Sequence, residues 1–186
     1  MLVVTGPSGV GKGTLIRGLL ERLPGLQLAV SATTRPPRPG EVDGRDYYFL
    51  SPEEFDARVH RGEFVEHATY AGNRYGTLRS ELARPARGIV LEIDLQGARQ
   101  IRQAMPEATQ VFISPPSLDD LRKRLEERGS DSREQILDRL AVAPGELAAQ
   151  EEFAHVVVND SVDRALEELA GLAATMCPPE ERGTSR

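Results

Sequence analysis

The sequence has 186 residues, 39% of them hydrophobic and 28% charged, which suits one globular domain with room for an inserted lobe. Its 29 acidic residues against 23 basic ones give a formal net charge of -6. A chain this acidic lacks the basic stripe on which nonspecific nucleic-acid binding depends, and no apolar run approaches the roughly 18 residues of a membrane span. The single cysteine, Cys177, excludes an internal disulfide, and Met1 to Gly9 shows neither the basic nor the long apolar segment of a leader. A cytoplasmic protein is expected. Of the basic residues only Lys12 and Lys123 are lysines.

Leu2 to Thr5 is a short β-branched apolar run closed by Gly6, the pattern of a buried parallel strand. Leu15, Ile16, Leu19, Leu20 and Leu23 then recur at helical spacing, which predicts a helix from about Lys12 to Leu23, stopped by Pro24 and Gly25. Leu26 to Val30 reads as a second strand. From Ser31 to about Gly88 the pattern changes: Pro36, Pro37, Pro39 and Gly40 forbid a long helix, and most of the aromatics gather here. Within it, Ser51-Pro52-Glu53-Glu54 is a capping box that starts a helix to about His60, and Tyr47–Leu50 and Phe64–Tyr70 read as strands. Residues 31–88 are therefore expected to form an inserted, mixed α+β substrate-binding lobe.

Ile89 to Asp94 resumes the buried-strand pattern, followed by a helix to about Met105 and a strand from Thr109 to Ser114. Ser117 caps a helix carrying Leu118, Leu121 and Leu125, and Arg128 to Asp131 breaks it. Ser132 with Gln135 starts another helix through Ile136, Leu137 and Leu140, which Pro144-Gly145 is expected to kink or end near Val142. Val156 to Val158 is a short last strand. Asp160 or Ser161 then caps a helix bearing Val162, Leu166, Leu169 and Leu172. Strands alternating with helices predict an α/β fold, with residues 1–30 and 89–176 forming a central parallel sheet flanked by helices. A disordered tail is expected over 177–186.

Gly6, Pro7, Ser8, Gly9, Val10, Gly11, Lys12, Gly13 and Thr14 stand between the first strand and the first helix with the spacing of a phosphate-binding loop. Its glycines let backbone N–H groups turn in around a phosphate, the helix N-terminus adds partial positive charge, and Lys12 reaches the outer phosphates. The strict pattern has Ser or Thr directly after the lysine as a magnesium ligand. Here Gly13 fills that place and Thr14 follows, so no direct metal ligand is expected and the ion is held through nucleotide phosphates and water. Lys123, between Arg122 and Arg124 on a charged helix face, reads as solvated surface. Lys12 is a compact ammonium where a planar guanidinium would collide with the loop amides.

Ser31 to Phe49 is the second informative segment. Its prolines hold the backbone extended, so Arg35 and Arg38 project from a stiff scaffold, suited equally to a second phosphate or to solvent. Together with the phosphate loop it resembles the guanylate kinase family. The likeness continues through Glu66-His-Ala-Thr-Tyr-Ala-Gly-Asn-Arg-Tyr75-Gly-Thr77, Leu91-Glu-Ile-Asp94-Leu-Gln-Gly97, Pro115-Pro-Ser-Leu, Arg124-Leu-Glu-Glu-Arg128-Gly-Ser-Asp and Val158-Asn159-Asp160. That covers the chain from Met1 to about Ala174.

The resemblance implies a P-loop kinase with a core, a GMP-binding lobe and a short helical lid at about 126–145. It implies transfer of the ATP γ-phosphoryl group to GMP or dGMP, with Mg2+ accompanying ATP. By position, Gly6 to Thr14 would hold ATP, with Asn159 near the adenine. Arg35, Arg38, Tyr47 and Tyr75 would hold the GMP phosphate, with Glu41 also among the GMP-binding residues. Ser31, Glu66 and Thr77 would read the guanine. Arg128 and Arg139 would be lid arginines, catalytic together with Lys12 and Arg38.

The residue chemistry agrees. Guanine offers N1–H and N2–H donors that one carboxylate accepts together, and its O6 suits a hydroxyl, whereas adenine turns a lone pair toward the acid. Glu66 taken alone reads as a strand-surface acid. Glu92 and Asp94 close an apolar strand whose end faces the ligand crevice, which places Asp94 in the region shared by GMP and magnesium-bound water, with Glu92 beside it. His60, His67 and His155 form no cluster. Two alternatives stand beside this reading: a monophosphate kinase for another base, and a non-catalytic guanylate-kinase-like module that binds peptides. The intact loop with Lys12, Arg128 and Arg139 argues for the enzyme. Two departures from the family pattern are Ala32, where Ser or His is common, and Pro144-Gly145.

Overall fold

The structure, a computed structural model, describes residues 1–127 and 132–175. Along the chain run β1 (Leu2–Thr5), α1 (Lys12–Arg22) and β2 (Leu26–Leu28), then β3 (Ser31–Thr33), β4 (Tyr48–Phe49) and α2 (Pro52–His60). Next come β5 (Phe64–Tyr70), β6 (Asn73–Leu78), α3 (Arg79–Leu82), β7 (Gly88–Glu92) and α4 (Leu95–Ala104). Last are β8 (Thr109–Ser114), α5 (Leu118–Glu127), α6 (Arg133–Ala148), a 3-10 turn at Ala149–Glu152, β9 (His155–Val158) and α7 (Val162–Ala174).

A five-stranded parallel sheet has the order β2-β7-β1-β8-β9. Its central strand is buried on both faces, which is why it reads as an unbroken apolar run. Leu2 and Val4 pack with Leu15, Ile16 and Leu19 of α1 and Leu166 and Leu169 of α7. Val3 faces the other way, to Leu91, Ile101 and Phe112.

The chain leaves this sheet after Leu28 and returns at Gly88, between strands that are neighbours. In between it builds a second sheet of order β4-β3-β6-β5, in which β3 pairs β4 in parallel and β6 runs antiparallel to both β3 and β5. This sheet has its own small core of Ala32, Phe55, Phe64 and Leu78, with the rings of Phe55 and Phe64 stacked at 4.5 Å. Ala32, a departure from the family pattern, thus packs inward. Glu81 ties the connections together, accepting from Val30 N at 2.8 Å, Tyr48 Oη at 2.9 Å and Arg84 Nη1 at 2.9 Å.

Two strands escaped sequence reading. β3 is three residues long, and β6 contains Asn73 and Gly76, both poor β-formers. The other difference is α6. The helix does not end near Val142 but continues through Pro144 to Ala148. Proline's fixed φ is helical, so the ring removes one N–H and crowds one carbonyl, at a cost of roughly 3 kcal/mol. Packing of Ile136, Leu140 and the buried Ala143 on one side of Pro144, and of Leu147 on the other, offsets it. Pro144 and Gly145 themselves are exposed. Arg128, the expected break around it and the tail from 177 lie outside the described residues. No helix among the described residues is long and apolar enough to cross a membrane.

Candidate active site

The phosphate loop is fixed by contacts that require glycine at two points. Gly6 ends β1 at φ 138°, where a Cβ would stand 2.2 Å from the carbonyl oxygen of Ile113. Gly11 caps α1 at φ 100°, where a Cβ would stand 2.6 Å from Asn159 Nδ2. Lys12 opens the helix and folds its ammonium back into the loop, donating to Gly6 O at 2.7 Å and Pro7 O at 3.0 Å. Burial draws the Lys12 pKa below the usual lysine value. The carboxylates of Glu92, Glu146 and Asp94 oppose that fall, and Arg139 adds to it.

The loop is braced from behind by α5 and by the end of β9. Val10 is fully buried in the core, and its carbonyl accepts from Arg124 Nη1 at 3.1 Å and Asn159 Nδ2 at 2.7 Å. Arg124 also donates to Asn159 O at 2.7 Å, and Asn159 N donates to Ser114 O at 2.8 Å. Asn159, 3% exposed, lines the wall of the cleft while serving as this brace. The side chains of Pro7 and Val10 turn away from the cleft, into the protein.

Arg124 was grouped by sequence with Lys123 on a solvated face, yet it points inward. Its place three residues after the buried Leu121 carried that signal, since residues three apart share a helix face. Arg124→Ala is expected to raise the KM for the loop's nucleotide several-fold and to lower stability by about 1–3 kcal/mol, because two buried carbonyls lose a charged donor. Thermal melts and steady-state kinetics check both numbers.

Arg139 of α6 donates to Ser8 Oγ at the tip of the loop. Glu146 follows seven residues later, two turns on and on the same helix face, and also lines the cleft. Its carboxyl is held above the usual value, chiefly by burial, with Asp94 adding and Lys12 opposing. The sequence reading missed Glu146 because it stopped α6 short of it. Tyr70 was missed as well, although Glu66, Ala68 and Tyr70 alternate along β5 and all reach the cleft. Burial raises the Tyr70 pKa, as does the nearby Glu146, while Arg139 opposes the rise.

The second sheet supplies the far wall. Cross-strand register sets Ser31 opposite Thr77 and Thr77 opposite Glu66, so three expected guanine readers form one row across β3, β6 and β5. A bulge between Phe64 and Glu66 brings the acid into that row. Thr77 Oγ donates to Glu66 Oε1 at 2.7 Å. Glu66 is 4% exposed, and burial pushes its carboxyl up to about 7, with nearby Asp94 adding and the Thr77 bond opposing.

Arg35, Arg38, Tyr47 and Tyr75 line the same wall. The Tyr47 and Tyr75 rings meet edge-on at 6.2 Å, and the Arg35 guanidinium lies 5.3 Å from the centre of the Tyr47 ring. Glu41 does not line the cleft; it grips Arg35 through two bonds of 2.8 and 3.0 Å and accepts from Arg38 N at 2.6 Å. It holds the two arginines in place beside the cleft. Asp94 likewise has a local task, capping α4 by accepting from Gly97 N at 2.8 Å, at the cleft's edge.

One cleft of about 910 Å³ therefore joins the phosphate loop, α6 and the second sheet. That is the upper end of the range for small-molecule sites. Among the described residues no group of three or more His, Cys, Asp or Glu is placed to hold a metal directly.

The family profile described as guanylate kinase matches residues 1–175. The guanylate kinase of Thermosynechococcus vestitus is 54% identical over 169 residues, covering 89% of this chain and 88% of the relative. That of Rubrobacter xylanophilus is 50% identical over 172 residues, covering 91% and 90%. The crystal structure of guanylate kinase from Anaplasma phagocytophilum superposes with a TM-score of 0.79 at 33% identity, over 97% of this chain and 87% of that one.

Proposed function

This chain belongs to the guanylate kinase family and is an ATP:GMP phosphotransferase, and from that premise we propose which of its residues perform the transfer. Lys12 and the amides of Gly6 to Thr14 hold the β- and γ-phosphates of ATP, with Asn159 on the adenine side. Ser31, Thr77 and Glu66 read the guanine of GMP or dGMP. Arg38, Tyr47 and Tyr75, with Arg35 steadied by Glu41, hold the acceptor phosphate. The observation that supports this assignment best is the single cleft with Lys12 at one end and Ser31 and Glu66 at the other, the buried Thr77 standing between them in register and bonded to Glu66.

An oxygen of the GMP phosphate attacks the γ-phosphorus in line and ADP leaves, so the protein aligns oxygens and neutralises charge without a base. Arg38 orients the attacking phosphate. Arg139 and Arg128 close over the transferring group and keep water from taking its place. Magnesium arriving with ATP would supply further positive charge against the phosphates. Gly13 leaves no hydroxyl beside Lys12, so Glu92 and Asp94, both on the cleft wall, would receive the ion's water shell. Residues 31–88 act as the GMP lobe and about 126–145 as the lid, and the lone cysteine and the substrates suit a cytoplasmic site.

ADP release measured with GMP, dGMP, AMP and UMP as acceptors tests the assignment. GMP is expected to be used with the highest kcat/KM, by orders of magnitude over AMP. Preference for AMP would overturn Glu66 as the guanine reader.

A further inference from the structure

We propose that Gly97 is a positioning residue for guanine recognition: the side chain it lacks is the space in which Glu66 Oε2 rests. The proposal builds on the reading of Glu66 as the guanine acceptor. A Cβ at Gly97 would lie 2.4 Å from Glu66 Oε2 and 3.1 Å from Glu66 Cδ, with Ile93 Cβ at 3.4 Å closing the other side. Contact that short cannot be borne, so either the helix or the carboxylate must move.

The helix cannot withdraw. Gln100 of α4 pairs with β5 as a strand would, accepting from His67 N at 3.1 Å and donating to His67 O at 2.7 Å. Gln96 donates to Thr69 O at 3.1 Å, and Ala98 and Ile101 are fully buried beneath. Asp94 fixes the Gly97 N–H itself. These bonds hold α4 on both sides of Gly97, whereas among the described residues the end of the Glu66 side chain is bonded to Thr77 alone. A methyl at 97 therefore turns the carboxylate out of the plane in which it would accept guanine N1–H and N2–H together.

The choice of base, rather than stability, separates this role from a structural one. Glycine inside a helix is a net loss relative to alanine, so at a merely structural position alanine would be neutral or better. The test is calorimetric binding of GMP, IMP and ATP to the parent, Gly97→Ala and Glu66→Gln proteins. IMP lacks the 2-amino donor, so the GMP-to-IMP affinity ratio reports whether the acid still meets both donors.

In Gly97→Ala, GMP binding is expected to weaken roughly tenfold to a hundredfold. IMP should weaken far less, ATP should change less than twofold, and the melting temperature should hold or rise. A parental ratio in Gly97→Ala, with the ratio lost in Glu66→Gln, would overturn the role of Gly97 alone. A ratio unchanged in Glu66→Gln would overturn the reading of Glu66 and the proposal with it. If Gly97→Ala lowers the melting temperature, Glu66→Asp/Gly97→Ala should restore it by shortening the acid, and no recovery would count against the clash.

Discussion

Lys12→Ala is expected to lower turnover on the order of 10³-fold, while GMP binding, on the other wall, changes little. The ammonium lies inside the loop, and its bonds to Gly6 O and Pro7 O are the ones that incoming phosphate oxygens would replace. Arginine is not a substitute, since its planar fork needs width in a loop closed by Ile113 behind Gly6 and Asn159 behind Gly11. Lys12→Arg should therefore be nearly as slow as the alanine variant. Single-turnover phosphorylation of GMP, with calorimetry for GMP affinity, separates the chemical step from binding. A Lys12→Ala protein turning over at the parental rate would end the mechanism proposed above.

Glu66→Gln is expected to have two effects of opposite sign. Glutamine cannot accept from both guanine donors without presenting its own N–H groups, so the KM for GMP should rise about a hundredfold or more. The unliganded protein should nevertheless become more stable at pH 8. Burial raises the folded-state pKa from 4.5 to about 7, so folding favours the protonated acid. The penalty is absent below about pH 4.5, grows as pH rises toward 7 and is complete above it, where it amounts to about 3 kcal/mol. Denaturant melts at pH 4.5 and pH 8 should show parent and variant converging at the lower pH. In the same window, the parent's affinity for GMP should fall as pH drops below 7, a dependence that the glutamine variant lacks.

The parallel core was legible because buried strands and amphipathic helices carry their periodicity in apolar residues alone. Leu2 to Thr5, Leu15 to Leu23 and Ile89 to Leu91 name their faces without help from partners. What stayed hidden depended on a second segment. β3 and β6 exist because β5 and one another supply their bonds, and the bulge that aims Glu66 depends on the register with β6. Pro144 misled for the same reason: local geometry argues against the helix, and the packing of Leu140, Ala143 and Leu147 carries it through. Stopping α6 early concealed Glu146. The resemblance put Glu41 among the GMP-binding residues, and the structure adds the arginine that it holds.

The docking of α4 on β5 sets the natural seam of the molecule. The second sheet leaves and re-enters the core between paired strands, which invites the view that acceptor choice is a cassette bounded by residues 31 and 88. Yet Glu66 occupies a hollow belonging to the following helix, and His67 and Thr69 bond to that helix's glutamines. Recombination between kinases of different base preference that cut at residue 88 would pair one parent's acid with the other's hollow. If Glu66 reads the base as proposed, the heritable unit of base choice runs on to Ala104.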